Sequence, residues 1–290
     1  MTALKQRKGM FMNSNAMPLN VWWMVREDIK VPIETTVSVA DKYGIRNLLK
    51  LPSERTCVRR GIDDFHNRRG AVRRVVEKIR ENEASVVFGI MDLHVDKENE
   101  QGGYEQDTKV VLDKDSGKVD VTGKLSERVI ASIEKNRNNF NSKDIRDLCF
   151  SVIRACKGIS KRPTGGVYLI PPQFVTQLDM LKLFLKELLG DGTACIYSER
   201  IFCGDEEKQY AGESLYQDVM TRVYGLQKRV QAVTKQECRL REHGEDLDGI
   251  KELVDAYKDV LGQQEIFEKI AVALDGTAEM IQDALERVQK

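Results

Sequence analysis

The chain has no net charge, no apolar run long enough to cross a bilayer and no C-x-x-C pair. Its 46 basic and 46 acidic residues cancel, so no global field draws it to nucleic acid or to an anionic membrane. Any basic surface must therefore be local. The longest apolar stretches are residues 86–91, which are too few, and 178–189, which Asp179, Lys182, Lys186 and Glu187 interrupt. The first 20 residues carry Lys5, Arg7 and Lys8 but then Asn13, Ser14, Asn15 and Pro18, and lack the apolar run of a signal peptide. A cytoplasmic protein without a membrane partner is expected. Cys57, Cys149, Cys156, Cys195, Cys203 and Cys238 sit mostly in apolar segments, where free thiols behave as small hydrophobes, so reduced cysteines and no zinc site or other cofactor are expected.

What is present is enough apolar residue, 41% of 290, for a sizeable core and one or two domains. Residues 1–19 are expected to be a disordered arm. Residues 21–31, with Trp22 and Trp23, read as a strand stopped by Pro32, and residues 36–43 as a helix broken by Gly44. Pro52-Ser53-Glu54 opens a helix with Ser53 as cap and Val58, Ile62 and Phe65 inward. The spacing of Val72, Val75, Val76 and Ile79 predicts a second helix. From 84 to 122 the period alternates, predicting an antiparallel meander of strands 85–95, 108–112 and 118–122, with Asp115-Ser116-Gly117 as a tight turn and 97–103 as a polar loop. Helices at 126–138 and 142–156 follow.

Gly165-Gly166, an apolar stretch 167–170 and Pro171-Pro172 mark a buried strand, followed by a leucine-rich helix and a strand at 194–202. This unit is either a βαβ crossover or part of a split layer. From Leu215 onward apolar residues step by four and three, as Val219, Val223, Leu226, Val230 and Val233 do, which is a coiled-coil seam. Breaks at Gly244 and Gly262 favour a folded-back hairpin or bundle.

Arg162, Gly165, Gly166, Val167, Tyr168, Ile170 and Pro171 resemble a pattern, R-x-x-G-G-V-Y-(F/L)-(V/I)-P, of a family of uncharacterised proteins from phages, haloarchaeal viruses and plasmids. The early Trp22-Trp23 strand, Pro52 before a helix with Arg59 and Arg60, Leu178-Asp179 and the helical tail fit that family loosely. The resemblance implies origin in a mobile element and no mechanism.

Three groups of residues could carry chemistry. Asp92, His94 and Asp96 alternate along one strand and so share a face, where they could hold a metal as in the Asp-x-His motif of metallophosphoesterases. Such enzymes also need a G-D motif, a G-N-H motif and further histidines, and the only others here are His66 and His243, so the ordinary reading of the alternation is a strand leaving the core for solvent. Lys161 and Arg162 precede Thr164-Gly165-Gly166, which could offer cations and amides to a phosphate, although the spacing is no Walker loop. Arg55, Arg59, Arg60, Arg69, Arg73 and Arg74 could form a basic stripe opposite the apolar face of two helices, or be solvated and ion-paired.

The expected protein is thus α+β: a mixed sheet of an antiparallel meander plus a strand-helix-strand unit with flanking helices over 20–205, followed by a coiled-coil-like helical bundle over 206–290. Its expected function is non-enzymatic: an oligomer-forming protein of a mobile element that binds DNA or RNA through Arg55, Arg59, Arg60, Arg69, Arg73, Arg74, Lys161 and Arg162. The alternatives are a metal-dependent phosphohydrolase or nuclease using Asp92, His94 and Asp96, and an adaptor gripping a protein partner through the tail.

Overall fold

The computed structural model describes residues 17–67, 73–96, 101–161, 166–200, 204–233 and 236–289. In chain order the elements are β1 (Leu19–Val25), β2 (Lys30–Pro32), α1 (Ile33–Lys42), α2 (Glu54–Asp63), β3 (Arg73–Glu81), β4 (Ser85–Asp96), β5 (Gln101–Asp113) and β6 (Val119–Gly123). There follow α3 (Ser126–Arg137), β7 (Asn139–Asn141), α4 (Ser142–Ala155), β8 (Ile159–Ser160), β9 (Tyr168–Ile170), α5 (Val175–Leu189), β10 (Ala194–Arg200), α6 (Asp205–Ala232), α7 (Glu237–Leu261) and α8 (Gln264–Gln289). The fold is α+β, with antiparallel sheets and three C-terminal helices. It divides into two compact units, Arg26–Leu148 and the described parts of Met1–Val25 with Cys149–Lys290.

The first unit is built on the antiparallel meander β3-β4-β5-β6. Val76, Val86, Phe88, Ile90, Val110 and Leu112 point to one face and pack on Val58 and Ile62 of α2 and Val129 and Ile133 of α3. Period-2 alternation delivers these side chains to the helices, each burial contributing about 1.5–3 kcal/mol. Gly61 lets α2 and α3 meet closely, since a Cβ there would lie 2.8 Å from the Ile133 backbone. Ser53 caps α2 as expected, accepting from the Thr56 amide at 3.3 Å. Gly117, at φ 69°, closes the tight turn after Asp113.

The second helix expected around Val72–Ile79 is corrected: residues from Arg73 form strand β3, paired to β4 with Val76 opposite Ile90 and Arg74 opposite Asp92. Adjacent β-branched Val75 and Val76 suit a pleated surface better than a helix, and the exposed amides of β4 supply the pairing. The first expected strand is two, β1 and β2, separated by the turn at Glu27 and Asp28. The polar loop expected at 97–103 is in part strand, because β5 begins at Gln101; residues 97–100 lie outside the described residues.

The second unit holds the sheet β10-β1-β9-β8. β1 is antiparallel to both β9 and β10, so β9-α5-β10 is a split strand-helix-strand unit with β1 inserted between its strands. The three C-terminal helices bury Val219, Val223, Leu226, Leu240, Leu253, Ile270 and Ile281 in one core together with Ile159 and Leu169 of the sheet. Gly262, left-handed at φ 61°, ends α7 as expected. Gly244 does not break the chain; it lies inside α7, where glycine costs only about 1 kcal/mol relative to alanine and long helical neighbours override it.

Candidate functional site

Most of the arginines singled out in the sequence are committed to carboxylates. Arg55 donates to Glu81 at 2.9 and 3.2 Å. Lys78 and Lys114 also reach Glu81, and their hydrogen bonds, with that of Arg55, pull its carboxyl down to about 2. Arg59 pairs with Asp63 at 3.0 Å and lies over the Phe88 ring. Arg60 forks onto both oxygens of Asp144 at 2.7 Å, with both side chains largely buried. Arg74 forks onto Asp92 at 2.7 and 3.2 Å. Arg73 is exposed at the start of β3 and, as a strand neighbour of Arg74, faces the opposite side. Arg69 and Arg162 lie outside the described residues. Among the described residues there is no helical stripe, because Arg73 and Arg74 lie on a strand, and four of the described arginines neutralise acids of their own unit.

The same contact bears on the strand motif. Asp92 is clamped by Arg74, while the side chains of His94 and Asp96 lie outside the described residues. Among the described residues no group of three or more histidines, cysteines and acids could hold a metal. The buried thiols of Cys149 and Cys156 are pushed up by burial, to about 12 and about 11, which keeps them protonated and poor nucleophiles.

Lys161, in contrast, borders a cleft. β9 pairs with β1 only through Val21 and Tyr168, Asn20 and Leu169, and Leu19 and Ile170. Upstream of Tyr168 the chain leaves β1: the Lys161 amide donates to the Val167 carbonyl at 3.0 Å, and Gly166 turns at φ 95°. β1 meanwhile continues alongside β10, with Trp22 opposite Tyr197. The divergence opens a wedge of about 610 Å³, with Asn20, Trp22 and Trp23 on one bank and Lys161, Gly166 and Val167 on the other.

Its aromatic wall is braced on both faces of the sheet. Trp22 stacks on Tyr197 with centroids 5.7 Å apart and planes 15° apart. Trp23, pointing the other way as strand alternation requires, stacks on Tyr168 at 5.2 Å, and Phe150 meets that tyrosine edge-on. Asn20 shares the Trp22 face, two residues away, and its buried Oδ1 has no hydrogen-bond partner among the described residues. Sequence reasoning missed Asn20 and Tyr197, while Gly166 and Lys161 stand in the loop singled out as a candidate phosphate site. The adjacent tryptophans were the available signal, but their tyrosine partners come from strands distant in sequence.

A larger groove of about 1500 Å³ runs along α6 and the start of α8, and Lys161 borders it as well. Asp205, Glu207, Glu213 and Glu265 line it, so it repels anions. Among the described residues no helix is long and apolar enough to cross a membrane.

Comparison with curated proteins and with solved structures finds no match. A family model, in contrast, matches residues 20–289, which takes in the β1–β9 cleft, the meander and the three C-terminal helices. The chain belongs to this family, the family of unknown function DUF6744.

Proposed function

We propose that this protein acts by binding, without catalysis, and that its ligand is nucleic acid held at the wedge between β1 and β9. The observation that carries the reading is the placing of a braced indole, Trp22, and a cation, Lys161, on opposite banks of one cleft. Base faces stack on aromatic rings and phosphates seek lysine, and a neutral protein needs only a local site of this kind. The motif resemblance at Gly166, Val167, Tyr168, Ile170 and Pro171 supports a mobile-element setting, and Gly166 and Val167 of that motif line the cleft's second bank.

The hydrolase reading is disfavoured because the first acid of the strand motif, Asp92, is already satisfied by Arg74. Adaptor or oligomer roles for the tail lose their main support, since its apolar seam is buried among the chain's own three helices. The reading is tested by titrating labelled single-stranded and duplex oligonucleotides at about 20 mM salt, where the counterion contribution is strongest. Binding is expected, weakened by Lys161→Gln and by added salt. Absence of binding to any oligonucleotide at that salt overturns it.

A further inference from the structure

The geometry points to a single base slot: we infer that the wedge takes one unstacked base of a single strand against the free face of Trp22, a refinement that rests on the nucleic-acid reading above. β10 and β9 flank β1 on opposite sides. Tyr197, on β10, therefore occupies one face of the Trp22 indole, and the wedge, where β9 has left β1, lies beyond the other. A planar ligand entering the wedge continues a stack that is already two rings deep. Aromatic stacking rewards any base, so this contact carries little sequence preference.

The rest of the wedge suits a nucleotide better than a plain apolar ligand. Asn20 borders it, and its buried Oδ1, which no described residue hydrogen-bonds, is an acceptor that the amino or imino edge of a base would satisfy once the side chain turns toward the wedge. Lys161, across the wedge, is placed for the neighbouring phosphate. Glycine at 166 leaves the second bank open, since no described residue lies within 4 Å of where its Cβ would be. The volume, about 610 Å³, falls within the range of small-ligand sites, and a base held in a duplex reaches such a site only by leaving its stack.

The chain has two tryptophans, which makes the slot directly observable. In the full-length protein carrying Trp23→Phe, Trp22 is the sole indole reporter. Titration with a short single-stranded oligothymidylate is expected to quench its emission. An abasic strand of equal length should bind more weakly by roughly five- to 150-fold, the factor that loss of one stacked base implies. Duplex should fail to quench, and thymidine monophosphate should quench only at far higher concentration. In the native background, by anisotropy of the labelled strand, Trp22→Leu and Tyr197→Leu should each weaken binding while circular dichroism stays unchanged. If Trp22→Leu disturbs the fold, the exposed Tyr197 carries the test alone. Equal affinity for abasic and normal strands, or quenching by duplex, overturns the slot but leaves nucleic-acid binding standing. Monophosphate as tight as the strand reassigns the slot to free nucleotides and overturns the single-strand inference. Binding of none of these ligands overturns both.

Discussion

The buried phenol of Tyr257 in α7 lies 2.5 Å from the carbonyl oxygen of Leu169 and donates to it, with the Lys157 carbonyl a second acceptor at 2.9 Å. Leu169 sits in the glycine-led strand β9, so this contact ties the C-terminal helices to the bank of the cleft. Tyr257→Phe keeps the ring and removes the bond. It is expected to cost about 1–3 kcal/mol, because two carbonyls lose a buried donor, measured by chemical denaturation. Burial also raises the Tyr257 hydroxyl above its usual 10. A group whose folded value is raised contributes stability that is intact below its unfolded value and lost as pH climbs past it. Wild type should therefore lose stability above about pH 10 more steeply than the phenylalanine variant.

The Arg60–Asp144 fork spans α2 and the start of α4 with side chains only 16% and 9% exposed. Arg60→Ala leaves Asp144 charged and poorly solvated, and a loss of about 3 kcal/mol is expected. Replacing both partners with apolar residues of similar size should recover most of it, and no effect of the single change would show that the pair is not held in solution.

Glu81 gathers Lys78, Lys114 and Arg55, and its carboxyl is held at about 2. A depressed folded value means stability present above the unfolded value near 4.5 and lost as pH falls from there toward about 2. Carbon-detected NMR titration should find Glu81 ionised at pH 3, and Arg55→Gln should move its midpoint upward. An ordinary midpoint would leave Arg55 free for a ligand.

Gly166 adopts φ 95° with no described residue near its Cβ position, so its requirement is conformational and not one of contact. Gly166→Ala should cost about 1 kcal/mol in melting experiments. Unchanged stability would show that the second bank relaxes freely.

Local signals were legible wherever one residue decides the geometry: Ser53 caps α2, Gly117 closes the meander's turn and Gly262 ends α7. Residues 72–79 mislead because apolar spacings of three and one fit both a helix and a bulged strand. The register shift between Lys78 and Arg80 is what lets β3 follow β4. The arginines were visible but not their acids, since Arg60 and Arg74 find Asp144 and Asp92 only after folding. The cleft is harder still. It depends on β9 parting from β1 and on Trp22 meeting Tyr197 across strands, neither of which any local pattern encodes.

Photocrosslinking tests the cleft against the arginines most directly. A single-stranded oligonucleotide carrying 5-iodouracil is bound at low salt, irradiated, and its adducts mapped by peptide sequencing. Adducts at Trp22, competed away by unlabelled single strand and weakened by Lys161→Gln, are the expected result. Adducts confined to residues 54–81, or none that unlabelled strand displaces, would contradict the account.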